Sequence, residues 1–249
     1  MIRKSRLKSS GRNDALFAGA CIAALAIWGI ASNVEAQETS GPQVAGPQIS
    51  GNVAITSDYI FRGVSQTQEE PAISAGVDLT NGGFYAGAWA SNVDFADGAN
   101  AEIDLYGGWR TEASGWTLDA GAVGYFYTAQ PDGADYDYVE LKAAASRAFG
   151  PVTVGGAAYW SPDFFGAAEE EATYVEANAA WAPADKWIVS GAVGRQFVSS
   201  DFDYTTWNLG AAYQLTDNLA LDARYYDTDQ HDFGDIYGAR AVASLKATF

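Results

Sequence analysis

Arg240-Ala241-Val242-Ala243-Ser244-Leu245-Lys246-Ala247-Thr248-Phe249 closes the chain with strict alternation. Together with Ala239, residues Ala241, Ala243, Leu245, Ala247 and Phe249 fall on one face, and Arg240, Val242, Ser244, Lys246 and Thr248 on the other. Successive side chains of a strand point to opposite faces, so this segment offers small or apolar groups to lipid and largely polar groups to a lumen. A terminal aromatic stands where an interfacial girdle is needed. The expected element is the closing strand of an outer-membrane barrel, and the strand ending at Phe249 is the expected contact with a barrel-assembly machinery.

At the other end, Arg3, Lys4, Arg6, Lys8 and Arg12 precede an apolar run from Ala15 to Ile30, and Val34, Glu35 and Ala36 follow. A charged start, an apolar stretch too short for a membrane span and a small residue before the cut describe a secretory signal over 1–36. The only cysteine, Cys21, lies inside that apolar run, so the exported chain has none. Residues 37–48, rich in Gly, Pro and Gln, read as a flexible periplasmic linker, and 49–249 as the barrel domain.

Turn signals and alternating runs recur from there to the end, the weak per-segment pattern of an all-β transmembrane antiparallel barrel. Twelve strands are expected: Ser50–Phe61, Ala72–Thr80, Phe84–Val93, Ala101–Trp109, Trp116–Tyr127, Tyr136–Arg147, Val152–Trp160, Thr173–Trp181, Trp187–Phe197, Tyr204–Tyr213, Leu219–Asp227 and the closing strand. In the first, Val53, Ile55, Tyr59 and Phe61 are expected toward lipid. Short joins alternate with longer ones, as periplasmic turns and external loops do. Trp109, Trp116, Trp181, Trp187, Tyr213 and Phe249 gather at the short-turn end. Tyr59, Phe61, Tyr125, Phe126, Tyr127, Tyr138, Trp160, Phe197 and Tyr225 gather at the loop end, which predicts two aromatic girdles contacting outer-membrane lipid.

Composition excludes several classes. The full chain carries a formal charge of -17. Without residues 1–36, nine basic and 29 acidic side chains remain, a net charge of about -20. A nucleic-acid partner needs the opposite sign. No apolar run after residue 36 is long enough for a membrane helix, which leaves a barrel as the only way across a membrane.

The run Ser57-Asp58-Tyr59-Ile60-Phe61-Arg62-Gly63-Val64-Ser65-Gln66-Thr67 resembles the opening motif of the TorF-type porins, an uncharacterised bacterial family, and the likeness in pattern extends from about Val53 to Phe249. It implies an outer-membrane barrel with a channel role, and supplies no substrate and no catalytic residues. Read from the residues alone, Arg62 is a cation at a mouth crowded with carboxylates. It is expected either to form part of a constriction, held by lumen acids such as Asp58, or to pin the first loop as a structural ion pair.

The expected lumen-facing set is Asp58, Arg62, Asp78, Glu102, Asp104, Asp119, Glu140, Lys142, Glu176, Asp222, Arg224, Arg240 and Lys246. Acids outnumber bases, and the external loops add Glu69, Glu70, Asp94, Asp97, Glu169, Glu170 and Glu171 among others, so a channel for small hydrophilic solutes would favour cations or neutral molecules. Pairs such as Asp201 with Asp203 and Asp227 with Asp229 offer hard oxygen ligands, but no segment matches a complete calcium loop, and no metal or cofactor is expected. His231, the only histidine, is flanked by Asp229 and Asp232 with no placed serine nucleophile, so no catalytic residue is expected. The alternative is a barrel closed by loop infolding or salt bridges, with a structural or rim-active role such as lipid hydrolysis.

Overall fold

The computed structural model describes residues 46–165 and 170–249. The expected signal peptide and the linker up to residue 45 lie outside the described residues. From Gln48 onward the chain forms β1 (Gln48–Thr56), β2 (Ile60–Phe61), β3 (Val64–Ser65), β4 (Ala72–Asn81), β5 (Phe84–Asn92), β6 (Ala101–Ala113) and β7 (Trp116–Thr128). It continues as β8 (Tyr138–Phe149), β9 (Val152–Phe164), β10 (Glu170–Ala184), β11 (Trp187–Phe197), β12 (Tyr204–Thr216), β13 (Leu219–Thr228) and β14 (Arg240–Thr248). Two 3-10 turns, His231–Phe233 and Asp235–Tyr237, lie between the last two strands.

All but β2 and β3 join in one closed antiparallel sheet, with neighbours following chain order around the ring and β1 meeting both β4 and β14. The expected twelve-stranded barrel is therefore the observed one. Closure is set by the register Val53↔Ala247 and Ile55↔Leu245, extended by a reciprocal backbone pair between Gly51 and Phe249 at 2.7 and 3.0 Å. Closing the sheet leaves no strand edge unpaired, which is what a backbone in hydrocarbon requires. Adjacent barrel strands are joined alternately by tight turns, such as the one at Gly82 with φ 59°, and by longer loops.

The alternation read from the sequence fixes the faces. Ile73, Val77, Leu105, Leu141, Val193, Leu209 and Leu245 are exposed on the outside, while Glu102, Asp104, Glu140, Asp222 and Arg224 on intervening positions are buried within. A water-facing sandwich would bury the first set, whereas this exterior is the apolar band of a membrane-spanning barrel. Trp109, Trp116, Trp181, Trp187 and Phe249 are exposed at the short-turn end, and Phe126, Trp160, Phe197 and Tyr225 toward the loop end. A charge on the band should be costly. Leu105→Arg is expected to lower folding stability in lipid vesicles by about 2–4 kcal/mol, read from denaturant titration; an unchanged midpoint would remove Leu105 from the lipid face.

Candidate functional site

The first loop does not stand outside the barrel. Alternation stops at Thr56, because Tyr59, Ile60 and Phe61 are three consecutive apolar residues that a one-sided strand cannot place. The chain instead turns inward and pairs β2 with β3 through Ile60↔Ser65 and Phe61↔Val64. Arg62 and Gly63 form the two-residue tip with φ 45° and 87°, the paired positive φ of a tight hairpin turn. This corrects two expectations: the first strand ends at Thr56 and not at Phe61, and Tyr59 and Phe61 are buried in the interior, with Phe61 1% exposed.

The loop is tied at its base. Asp58 accepts the Ser65 hydroxyl at 2.7 Å and the Arg240 guanidinium at 3.1 Å, while the Tyr59 N–H donates to Thr67 Oγ1 at 3.2 Å. Arg240 belongs to β14, beside the strand from which the loop departs. Asp58 thus pairs with Arg240 and not with Arg62.

Arg62 reaches much farther. Its Nη1 and Nη2 donate to Glu140 Oε1 and Oε2 at 2.9 and 2.7 Å, and Nη1 also donates to Gln196 Oε1 at 2.9 Å. The guanidinium lies 4.4 Å from the Tyr174 ring centroid, 5.1 Å from that of Tyr159 and 4.5 Å from that of Phe61. Apart from Phe61 of the hairpin itself, these partners sit on β8, β9, β10 and β11, the strands diametrically opposite the β1/β4 departure point in the ring. The hairpin therefore spans the lumen and is clamped on the far wall. Burial alone would lower the Arg62 pKa, but Glu140 raises it above the ordinary arginine value, so the clamp is an ion pair.

The tip packs as closely as it is charged. A Cβ placed on Gly63 would lie 2.1 Å from Thr206 Oγ1 and 2.8 Å from Thr228 Cγ2. Around the hairpin, Tyr59, Phe61, Val93, Val123, Tyr125, Tyr127, Tyr138, Phe164 and Phe165 form one buried cluster, and Val64, Tyr204 and Tyr237 a second. The Tyr125 and Tyr138 rings stack with centroids 4.3 Å apart. Tyr125, Tyr127 and Tyr138, expected in the loop-end girdle, point inward and fill the lumen, because they share the parity of Asp119 and Glu140.

The other expected lumen residues fall into local pairs nearer the short-turn end. Asp119 accepts from Tyr85 at 2.7 Å, Arg110 at 3.0 Å and Lys142 at 3.1 Å. Asp78 accepts the Tyr106 hydroxyl at 2.6 Å and lies within electrostatic reach of Lys246. Glu176 accepts from Tyr174 and Asn178, each at 3.0 Å. Arg224 donates to Asp222 at 3.1 Å, to Ser190 Oγ at 2.8 Å and to Asn208 Oδ1 at 2.8 Å. Glu102 and Asp104 differ: they sit fully buried beneath the hairpin, where Glu102 Oε1 accepts the hydroxyl of Tyr59 at 3.2 Å and the Tyr127 hydroxyl and Asp104 lie beside it. His231 is exposed, 2.7 Å from Asp227.

Residues 37–249 match the model of a family described as "Bacterial protein of unknown function (Gcw_chp)". The chain belongs to that family. Among curated proteins no sequence matches it. Solved structures give the fold: a KdgM porin in complex with disordered oligogalacturonate is similar with TM-score 0.58 and 7% identity, covering 82% of this chain and 99% of that one. A NanC porin is similar with TM-score 0.55 and 9% identity, covering 81% and 99%. This Gcw_chp chain thus has a porin-type barrel fold, with a first-loop hairpin lodged across its lumen. Sequence reasoning missed the far-wall partners Tyr159, Tyr174, Gln196, Thr206 and Thr228, which are ordinary strand residues until the hairpin reaches them.

Proposed function

We propose that this Gcw_chp protein is an outer-membrane channel for small hydrophilic solutes, cation-preferring when open, and that its first-loop hairpin holds it closed. The charge left over after the ion pairs form carries this reading. Arg62, Arg240, Arg224 and the Arg110/Lys142 couple each meet an acid. Glu102, Asp104 and Glu176, by contrast, meet no base within ion-pair distance among the described residues, so the lumen keeps a negative surplus. Acid-lined pores raise the local concentration of cations. The porin-type fold and the resemblance of residues 57–67 to the TorF-type porins support the channel part of this reading, and the cation preference rests on the lumen charge. The KdgM porin is in complex with oligogalacturonate; a lumen with a negative surplus is expected to exclude such a polyanion.

A planar bilayer under a potassium chloride gradient tests the proposal. Reversal toward the potassium potential, with no block or passage of oligogalacturonate, is the expected result; reversal toward the chloride potential would overturn it. The filled upper lumen favours a second reading, a permanently closed barrel with a structural role. That reading requires silence even from variants whose hairpin has been released.

A further inference from the structure

Two buried acids on β6 meet no counter-charge within ion-pair distance among the described residues. Glu102 and Asp104 stand two residues apart, on the same inward face, and both are 0% exposed. Glu102 Oε2, both Asp104 carboxylate oxygens and the Tyr127 hydroxyl beside Glu102 are shut off from solvent, and none of them meets a partner in full hydrogen-bond geometry. The groups that face the pair are Tyr59 on the first loop, Tyr106 on β6, Tyr125 and Tyr127 on β7, and Tyr138 and Glu140 on β8; Tyr106 donates to Asp78, and Arg62, which acts on Tyr125 and Tyr138, is committed to Glu140. Two neighbouring carboxylates in a dry site cannot both stay ionised without a positive charge between them. A shared proton answers this with no additional ligand: one carboxyl donates to the other and the pair carries a single negative charge.

From this arrangement we infer that Glu102 and Asp104 form a one-proton carboxyl–carboxylate site that latches the plug hairpin through Tyr59 and unlatches when the proton is lost. The protonated pair gives Tyr59 a hydrogen-bond acceptor without building up repulsion. Burial first, and then the adjacent acids, hold the Tyr59 hydroxyl well above its ordinary pKa, so it remains the donor. Loss of the shared proton to solvent leaves two anions side by side with Glu140 nearby, and the strain is relieved when the hairpin lifts and water enters. The latch is therefore engaged at neutral pH and released as the pH rises.

The unlatching half of this proposal rests on the channel reading; the proton site does not. Both are tested on the refolded full barrel, with folding verified by heat-modifiable migration. Infrared spectra of the wild type are expected to show a protonated-carboxyl stretch at neutral pH that shifts in heavy water and vanishes on alkalinisation. Asp104→Asn and Glu102→Gln should each lose that band. In bilayers the wild type should gain at least tenfold in open probability over the same pH interval, while both variants stay flat. A wild type without the band, or a band unchanged in both variants, overturns the proton site whatever the currents do; a band abolished by sodium or calcium at neutral pH does the same and assigns the position to a metal cation. If the band titrates as described but no variant conducts at any pH, the proton site stands and the channel reading fails.

Discussion

Arg62→Ala is expected to open the barrel. The substitution removes a bidentate ion pair and three ring contacts at once, and leaves the Glu140 carboxylate buried without a counter-charge, held only by the Tyr125 hydroxyl at 3.0 Å. Breaking one side of a buried ion pair costs about 3–5 kcal/mol. That penalty falls on the plugged state alone, because water reaches Glu140 once the hairpin lifts. Arg62 also holds φ at 45°, a left-handed conformation costing a residue with a Cβ roughly 1–2 kcal/mol, so the clamp maintains a turn that would otherwise relax. At 1.4 kcal/mol per decade, the open population should rise by about two orders of magnitude, seen as frequent large steps in single-channel recordings. Arg62→Lys should give an intermediate effect, since an ammonium cannot make the paired contacts or stack on Tyr174 as guanidinium does. Arg62→Ala with Glu140→Gln should recover part of the closed population by removing the stranded charge. Unaltered gating in Arg62→Ala would mean that the clamp does not hold the plug.

Gly63→Val should produce an effect of similar size by a different route. Its branched side chain would occupy the space of Thr206 and Thr228, on β12 and β13, and at φ 87° it would also be strained by its own backbone. The tip cannot seat, so Arg62 loses its aim at Glu140 although the guanidinium remains. Because both substitutions release the same hairpin, the double variant should open little more than either single one, a departure from additivity expected for residues in one structural unit. Additive effects would show that tip and clamp act on separate elements.

The barrel was legible in the sequence because lipid and lumen impose opposite demands on alternate residues. The pattern of Ile103 and Leu105 against Glu102 and Asp104, or of Leu141 against Glu140 and Lys142, has no other economical reading. The hairpin was less legible because a plug interior and a lipid face both select apolar side chains. Tyr59 and Phe61 therefore fall on the parity of Val53 and Ile55, with the single polar residue Ser57 between the two pairs. Two signals separated them: the unbroken apolar run through Ile60, and the Arg62-Gly63 step flanked by Phe61 and Val64, which suits a two-residue turn. Parity likewise placed Tyr125 and Tyr127 on the face of Asp119, against their assignment to a girdle by position along the strand. The Arg62–Glu140 pairing joins residues 78 positions apart across a lumen, and no local pattern encodes a partner of that kind.

The first-loop hairpin, residues 58–67, is proposed to close the channel. Replacing residues 57–71 by a short Gly-Ser turn that joins Thr56 to Ala72, and recording the refolded barrel beside the wild type in a planar bilayer, tests this. The account predicts a wild type that is mostly closed and a variant with large, persistent, cation-selective steps. Equal currents from the two, with both shown to be folded and inserted, would contradict it.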